Sequence, residues 1–305
     1  YRMATRSPAR ARTLATALLV ALTAVWGSTF FLIRDLVRSI PPTDFLAVRF
    51  TLAAALMVVL FWRPLRALSR RDWAASLVLG GLYGAAQILQ TVGLAHTEAS
   101  VSGFVTGTYV VLTPIFTAVL LRERVEPSTW YAVLLATAGL ALLSLNGLSI
   151  GPGEALTLGA AALYALHIVG LGRLSTPDRA TGMSAVQMLV IAAVAVLAAL
   201  PDGIALPTDG GQWAAVVYMA TAAGVLALWA QTWAQAHLPA TRAAIIMTLE
   251  PVFAAGFAVA LGGETLTWRM LVGGGLVLAA MYTGELVGRR SEPARALAEA
   301  LHHEV

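Results

Sequence analysis

The sequence contains no cysteine and, although basic, no lysine: all 20 of its basic residues are arginine. Without cysteine there is no disulfide framework, no thiolate nucleophile and no cysteine-ligated metal. Without lysine there is no phosphate-binding Walker motif and no Schiff-base chemistry. Charge of either sign is also scarce, at 12% of residues, against about 25% in an ordinary soluble domain. A chain of 305 residues with so little surface charge cannot clothe one or two soluble domains in polar side chains.

In place of charge the sequence has long apolar runs, and 58% of residues are hydrophobic. The runs are roughly 18 to 23 residues long, enough for a helix to cross a bilayer, and prolines and glycines separate them. They predict ten helices, over 14–33, 44–62, 73–94, 99–121, 128–146, 154–172, 182–200, 212–234, 240–261 and 267–288. No gap is long enough for a further domain. The first run lacks a small-residue cleavage pattern and reads as a retained helix. The expected class is all-α, a polytopic membrane protein. Net charge of +4 does not point to nucleic acid, because the arginines form no long run and no nucleic-acid motif accompanies them.

The arginines instead report orientation. With the N-terminus inside, sixteen lie in cytoplasmic segments (Arg2, Arg6, Arg10, Arg12, Arg63, Arg66, Arg70, Arg71, Arg122, Arg124, Arg173, Arg179, Arg242, Arg289, Arg290, Arg295) and three outside (Arg34, Arg38, Arg269). That bias predicts both termini in the cytoplasm of a cell carrying the chain in its cytoplasmic membrane. The lipid bilayer is then an obligatory partner.

The two halves repeat. Ala47–Val48–Arg49 is echoed by Ala185–Val186–Gln187, and Trp73–Ala74–Ala75 by Trp213–Ala214–Ala215. His96 and Glu123 are 27 apart, and so are His237 and Glu264. An odd number of helices per copy turns the second copy upside down. The chain thus divides into a cytoplasmic segment 1–13, a first five-helix repeat 14–146, an inverted second repeat 147–288 and a cytoplasmic tail 289–305. Inverted repeats with a site between them are the signature of secondary transporters. Pro114 lies 18 residues after its histidine and Pro251 only 14 after its own, which predicts helix kinks at different depths in the two halves.

Candidate site residues are the polar and aromatic side chains placed where lipid cannot satisfy them. Glu250 sits mid-helix beside Pro251, which blocks the backbone bond to the carbonyl of Met247. An ionisable group at that depth is a functional-site hypothesis by default. It either exchanges a proton during transport or, as a neutral or Arg-paired group, ties helices together. Arg49 either meets a solute carboxylate, for which its planar fork is suited, or snorkels outward, or holds a backbone carbonyl. His167 is a proton relay or a hydrogen-bonded packing residue; nothing at ligand spacing makes it a metal site. Tyr83, Gln87 and Gln90 form one polar stripe, with Tyr83 and Gln87 lining a solute path or bridging helices. Trp26, Tyr109, Tyr164 and Trp229 would complete an aromatic wall, with packing as the alternative.

Trp26–Gly27–Ser28–Thr29–Phe30, Arg49–Phe50, Leu249–Glu250–Pro251–Val252–Phe253 and Gly262–Gly263–Glu264 together resemble the EamA family of the drug/metabolite transporter superfamily, over residues 14 to 288. The resemblance implies export or uptake of small metabolites such as amino acids, drugs, nucleosides or vitamins. With the inverted repeats, the expected protein is a secondary transporter of amino acids or related amphipathic solutes, an exporter working by alternating access, without a cofactor, as a monomer or weak homodimer. No HExxH or GxSxG motif supports an intramembrane enzyme. A non-transporting scaffold has no need of two opposed copies.

Overall fold

A computed structural model describes residues 8–144, 151–276, 278–280 and 283. Among them every regular element is helical: α1 Pro8–Leu36, α2 Pro42–Arg66, α3 Arg70–Leu94, α4 Ala99–Thr106, α5 Tyr109–Leu120, α6 Pro127–Ser144, α7 Pro152–Leu174, α8 Ala180–Ala199, α9 Gly210–Ala220, α10 Ala227–Gln235, α11 Ala240–Met247 and α12 Leu249–Ala260, then α13 Trp268–Ala280. Eight spans are long and apolar enough to cross a membrane, with α4–α5, α9–α10 and α11–α12 each counted as one. Shorter apolar helices at Thr129–Gly139 and Trp268–Ala280 take the fifth place in each half. Residues 145–146 of the expected segment 128–146, residues 277, 281–282 and 284–288 of 267–288, and the termini 1–7 and 289–305 lie outside the described residues. The outward faces carry exposed Leu60, Val78, Val119, Leu134, Leu197 and Leu271, as side chains facing hydrocarbon should.

The start of α1 defines a near end of the bundle and its last turn a far end. Arg34 in that last turn lies 3.6 Å from Glu98, in the loop after α3. In the same loop Thr97 donates to Glu154, in the first turn of α7, at 2.6 Å. So α7, which opens the second half, starts at the far end, where α1 finishes. The two halves run in opposite directions.

Besides a kink in α2 at Phe61 (φ −122, ψ 22), three spans are divided, each with its own backbone accounting. Between α4 and α5 the chain passes through Gly107 (φ −57, ψ −14) and Thr108 (φ −63, ψ −12), and between α11 and α12 through Thr248 (φ −64, ψ −7). Both threonines return their hydroxyls to the carbonyl three residues back, Val105 and Ile245, a bond that competes with the regular helix. The two breaks are thus equivalent positions of the repeat, 140 residues apart. This corrects the expectation of kinks at different depths. Pro251 follows its break by three residues, but Pro114 sits inside α5, six residues beyond Thr108. The threonine, not the proline, marks the break. The third interruption is a π-helical turn, Thr221–Leu226, between α9 and α10; such turns often accompany functional sites.

Close helix packing beside the cavity rests on a glycine. A Cβ on Gly27 would lie 2.6 Å from the Cβ of Phe253 and 2.8 Å from the backbone nitrogen of Ala254, so α1 approaches α12 at the level of Glu250 only because that side chain is absent. Gly27→Val is expected to destabilise the protein by about 1–3 kcal/mol through overpacking. Gly81→Ala, with nothing within 4 Å of the added carbon, is expected to be neutral or to stabilise by up to ~1 kcal/mol through helix propensity. Thermal unfolding of the two purified variants in one detergent measures the difference.

Candidate functional site: a polar cavity between the repeats

The breaks leave polar backbone inside the bundle, and the first task of the site is to satisfy it. The Met247 carbonyl freed by Pro251 accepts a hydrogen bond from the Tyr109 hydroxyl at 2.6 Å. The same hydroxyl lies 3.4 Å from Glu250 Oε2. The hydroxyl is thus shared unequally, with the Met247 carbonyl the shorter and stronger partner. At the π turn the Ala223 carbonyl accepts from the Trp26 indole N–H at 3.0 Å. A residue of the first half therefore closes each of two interruptions in the second.

Around these bonds lies a cavity lined by residues of both halves. Of the sequence candidates, Trp26, Arg49, Tyr83, Gln87, Tyr109, Tyr164, His167 and Glu250 all face it. Trp229 does not: it is absent from the lining, and its indole N–H donates to Thr181 Oγ1 at 3.1 Å. The expected aromatic wall consequently lacks that member. Phe30, Ile33, Leu94, Thr106, Gln231 and Met247 also line it. Counted as room for water centres, the cavity is about 40 Å³, enough for a few waters at roughly 10–15 Å³ each. It is elongated, since Tyr83 and Leu94, eleven residues apart on α3, both border it and span ~16 Å of helix.

The lining residues of α1, α2 and α3 all come from the half of each helix nearer the far end. Toward the near end two direct contacts hold neighbouring helices. Gln235 Nε2 donates to the Ile168 carbonyl at 2.9 Å and Arg179 pairs with Asp72 at 3.0 Å. At the far end Arg34 bridges the halves, pairing with Glu264 at 3.0 Å and donating to the Gly262 carbonyl at 2.8 Å.

The polar wall is a connected network with loose ends. Gln87 Nε2 donates to the Tyr164 hydroxyl, which donates to Gln90 Oε1 at 2.9 Å, whose amide donates to Thr106 at 2.9 Å. The stripe on α3 thus ties α7 to α4. His167 meets Gln187 Oε1 at 2.8 Å, and the Gln187 amide is committed to the Met183 carbonyl at 3.2 Å. Nε2 of His167 must then carry the proton, which leaves Nδ1 an acceptor. Tyr83 packs edge-on against both Tyr164 and His167, at 5.3 and 5.1 Å. Buried atoms without a partner include His167 Nδ1, Gln87 Oε1, Gln231 Oε1 and two on Arg49, Nε and Nη1.

Arg49 answers to neither of its structural readings. Only 2% of it is exposed, so it does not snorkel, and it donates to no carbonyl among the described residues. Its guanidinium lies over Phe50 at 4.8 Å. A desolvated cation–π contact returns about 2 kcal/mol or somewhat more, while an ion taken from water costs several. Nor does an ion pair join it to Glu250, which is also buried and without a cationic partner among the described residues. The wall therefore presents a cation from α2 and a carboxyl from α12 to one shared space. No charge, spacing or motif signals Thr106, which enters only as the partner of Gln90; the repeat marks Gln187 as the echo of Arg49 but not as the partner of His167.

Comparison with known proteins places this architecture. The model of the EamA-like transporter family matches twice, over residues 13–145 and 151–283. A protein of Archaeoglobus fulgidus named as an uncharacterized transporter is 31% identical over 264 residues, covering 86% of this chain and 82% of the relative. The uncharacterized inner membrane transporter YedA of Escherichia coli is 29% identical over 266 residues, covering 82% of this chain and 83% of its own. One solved crystal structure superposes with a TM-score of 0.72 over 91% of this chain and 98% of that one, at 19% identity, a likeness of fold. The duplicated family match, falling on two oppositely directed helical halves, leads to one conclusion: the chain belongs to the EamA-like transporter family and is a multi-pass membrane transporter.

Proposed function

We propose that the protein carries small metabolites, amino acids or related amphipathic solutes, across the cytoplasmic membrane by alternating access, and that it works as an exporter. The observation that carries this reading is the cavity itself, mid-bundle, walled by both repeats and lined by polar groups with unfilled hydrogen-bonding capacity. Secondary transporters bind solute at this place. The arginine bias sets the near end, with both termini, in the cytoplasm. The cavity then reaches toward the outside, and the contacts of Asp72 with Arg179 and of Gln235 with Ile168 close the cytoplasmic route. Each copy encloses a complete cavity, so a monomer suffices and any dimer is incidental to transport. Energy comes from a solute gradient or from a proton carried on Glu250, the only carboxyl on the cavity wall among the described residues.

Proteoliposomes tell this reading from an enzyme or a scaffold. Solutes drawn from amino acids, nucleosides and cationic drugs are expected to move faster than through empty vesicles, and equal rates for all of them would overturn the proposal. Because the chain has no cysteine, an introduced one is a unique label. Thr91→Cys, on the cavity wall toward the far end, is expected to react with an impermeant maleimide added outside whole cells, and more slowly with transported solute present. Reaction from the cytoplasmic side alone would reverse the orientation.

The proton role has a separate test. Glu250 shares the cavity with Tyr109 from α5, Arg49 from α2, Tyr83 from α3, and Tyr164 and His167 from α7; of these, His167 also titrates between acid and neutral pH in ordinary surroundings. Glu250→Gln is expected to fold and to flatten the dependence of flux on pH, whereas His167→Gln is expected to leave that dependence in place. The opposite pattern in stopped-flow flux measurements would assign the proton to His167.

A further inference from the structure

The duplication supplies an internal control on Arg49. Its counterpart in the second repeat is Gln187 (Ala47–Val48–Arg49 against Ala185–Val186–Gln187), and both side chains are buried. Gln187 closes its hydrogen bonds within the protein, accepting from His167 and donating to the Met183 carbonyl. The fold therefore builds this position with a neutral amide and asks for no charge. Arg49 holds a charge there, stacked over Phe50 with Phe45 at 5.9 Å on its other contact, and keeps Nε and Nη1 unpartnered. Asp44, a carboxylate little more than one turn away on α2, is engaged elsewhere, accepting from the Ala205 N–H at 3.0 Å. A guanidinium cannot shed its charge as a lysine can. What remains is a fixed, oriented, unneutralised cation on the wall of a cavity.

We propose that Arg49 is the anchor of solute recognition: it takes a carboxylate of the transported solute, and the cavity selects acids over their neutral amides. The inference rests on the transport reading and names the group that reading leaves open. Nη2–H paired with Nε–H, or with Nη1–H, matches the two oxygens of a planar carboxylate. Phosphate and phosphonate share that chemistry, but a dianion would bring a second negative charge into the space that Glu250 already faces. The free acceptors, Gln87 Oε1, Gln231 Oε1 and His167 Nδ1, face the solute's N–H or O–H groups. Trp26, Phe30 and Ile33 receive its apolar part.

Binding to the purified protein in detergent tests this without requiring flux. The probes are three matched acid and amide pairs, propionate and propionamide, 3-phenylpropionate and 3-phenylpropionamide, phenylalanine and phenylalaninamide, with phenylphosphonate alongside, read by thermal stabilisation. In the wild type at least one acid is expected to bind tenfold or more tightly than its amide. In Arg49→Gln, which copies the partner repeat and is checked for folding by its monodisperse elution, that preference is expected to vanish. Arg49→Lys keeps the charge without the fork and is expected to keep a reduced preference, which covers the case in which the glutamine variant fails to fold. No acid preference in any pair, or a preference that survives Arg49→Gln, overturns the anchor. Phenylphosphonate bound more tightly than every acid overturns the choice of carboxylate. Acid-selective binding without flux in proteoliposomes sinks the transport reading and leaves the anchor standing; flux that is blind to acid or amide does the reverse.

Discussion

A polar group inside a membrane has only the protein to turn to, and that constraint governs this structure. Lipid offers no donor and no acceptor, so each interrupted turn must be matched by a side chain from elsewhere in the bundle. Tyr109 answers the Met247 carbonyl and Trp26 the Ala223 carbonyl. Thr108 and Thr248 answer the carbonyls of their own last turns. The helices can break at mid-depth because these bonds exist, and the breaks make room for a cavity. Where the protein stops answering, at Arg49, Gln231 and His167, the residues left unanswered are ones that line the cavity.

The inverted halves are fastened at both ends rather than along their length alone. Arg34 gathers Glu264 and the Gly262 carbonyl at the far end, and Arg179 holds Asp72 at the near end. The pairs differ in setting. The Arg34 side chain is 11% exposed and that of Arg179 49%, so solvent screens the second far more than the first. A rocking motion that opened the near end would break the weaker fastening, and the cavity already leans toward the stronger one.

Much of the fold was legible because membrane crossing imposes a length and lipid imposes apolarity. The eight long spans and their boundaries follow from runs such as 44–62 and 182–200, which the structure extends by a few residues to Pro42–Arg66 and Ala180–Ala199. The inverted duplication was visible in short echoes, since the same contacts recur in both halves. The site was legible where a residue was anomalous for its depth: Glu250, Arg49, Tyr83, Gln87 and His167 are conspicuous in hydrocarbon and all reach the cavity. Trp229 looked equally anomalous but is spent on Thr181, because an indole bonds wherever one acceptor comes within reach and the sequence does not say which face it shows. The proline rule misplaced the first break for a related reason. A missing N–H weakens a helix over a turn, whereas the threonine back-bond decides where within that turn the axis yields. Thr106 gave no signal at all, since a small polar side chain is common in any helix and only the neighbour it meets gives it a role. Gln187 was visible only as the echo of Arg49, and Met247 only as the carbonyl freed by Pro251.

The indole of Trp26 has two duties that cannot be separated. Its ring is part of the cavity wall, while its N–H secures a carbonyl 197 residues away in the π turn of the other repeat. That turn carries one more residue per hydrogen-bonded loop than its neighbours, so tightening it by one would rotate everything beyond it, including Gln231 on the opposite wall. Occupancy and helix register are thereby linked through a single ring: a guest that leans on the indole also tugs on the wound state of the span facing it.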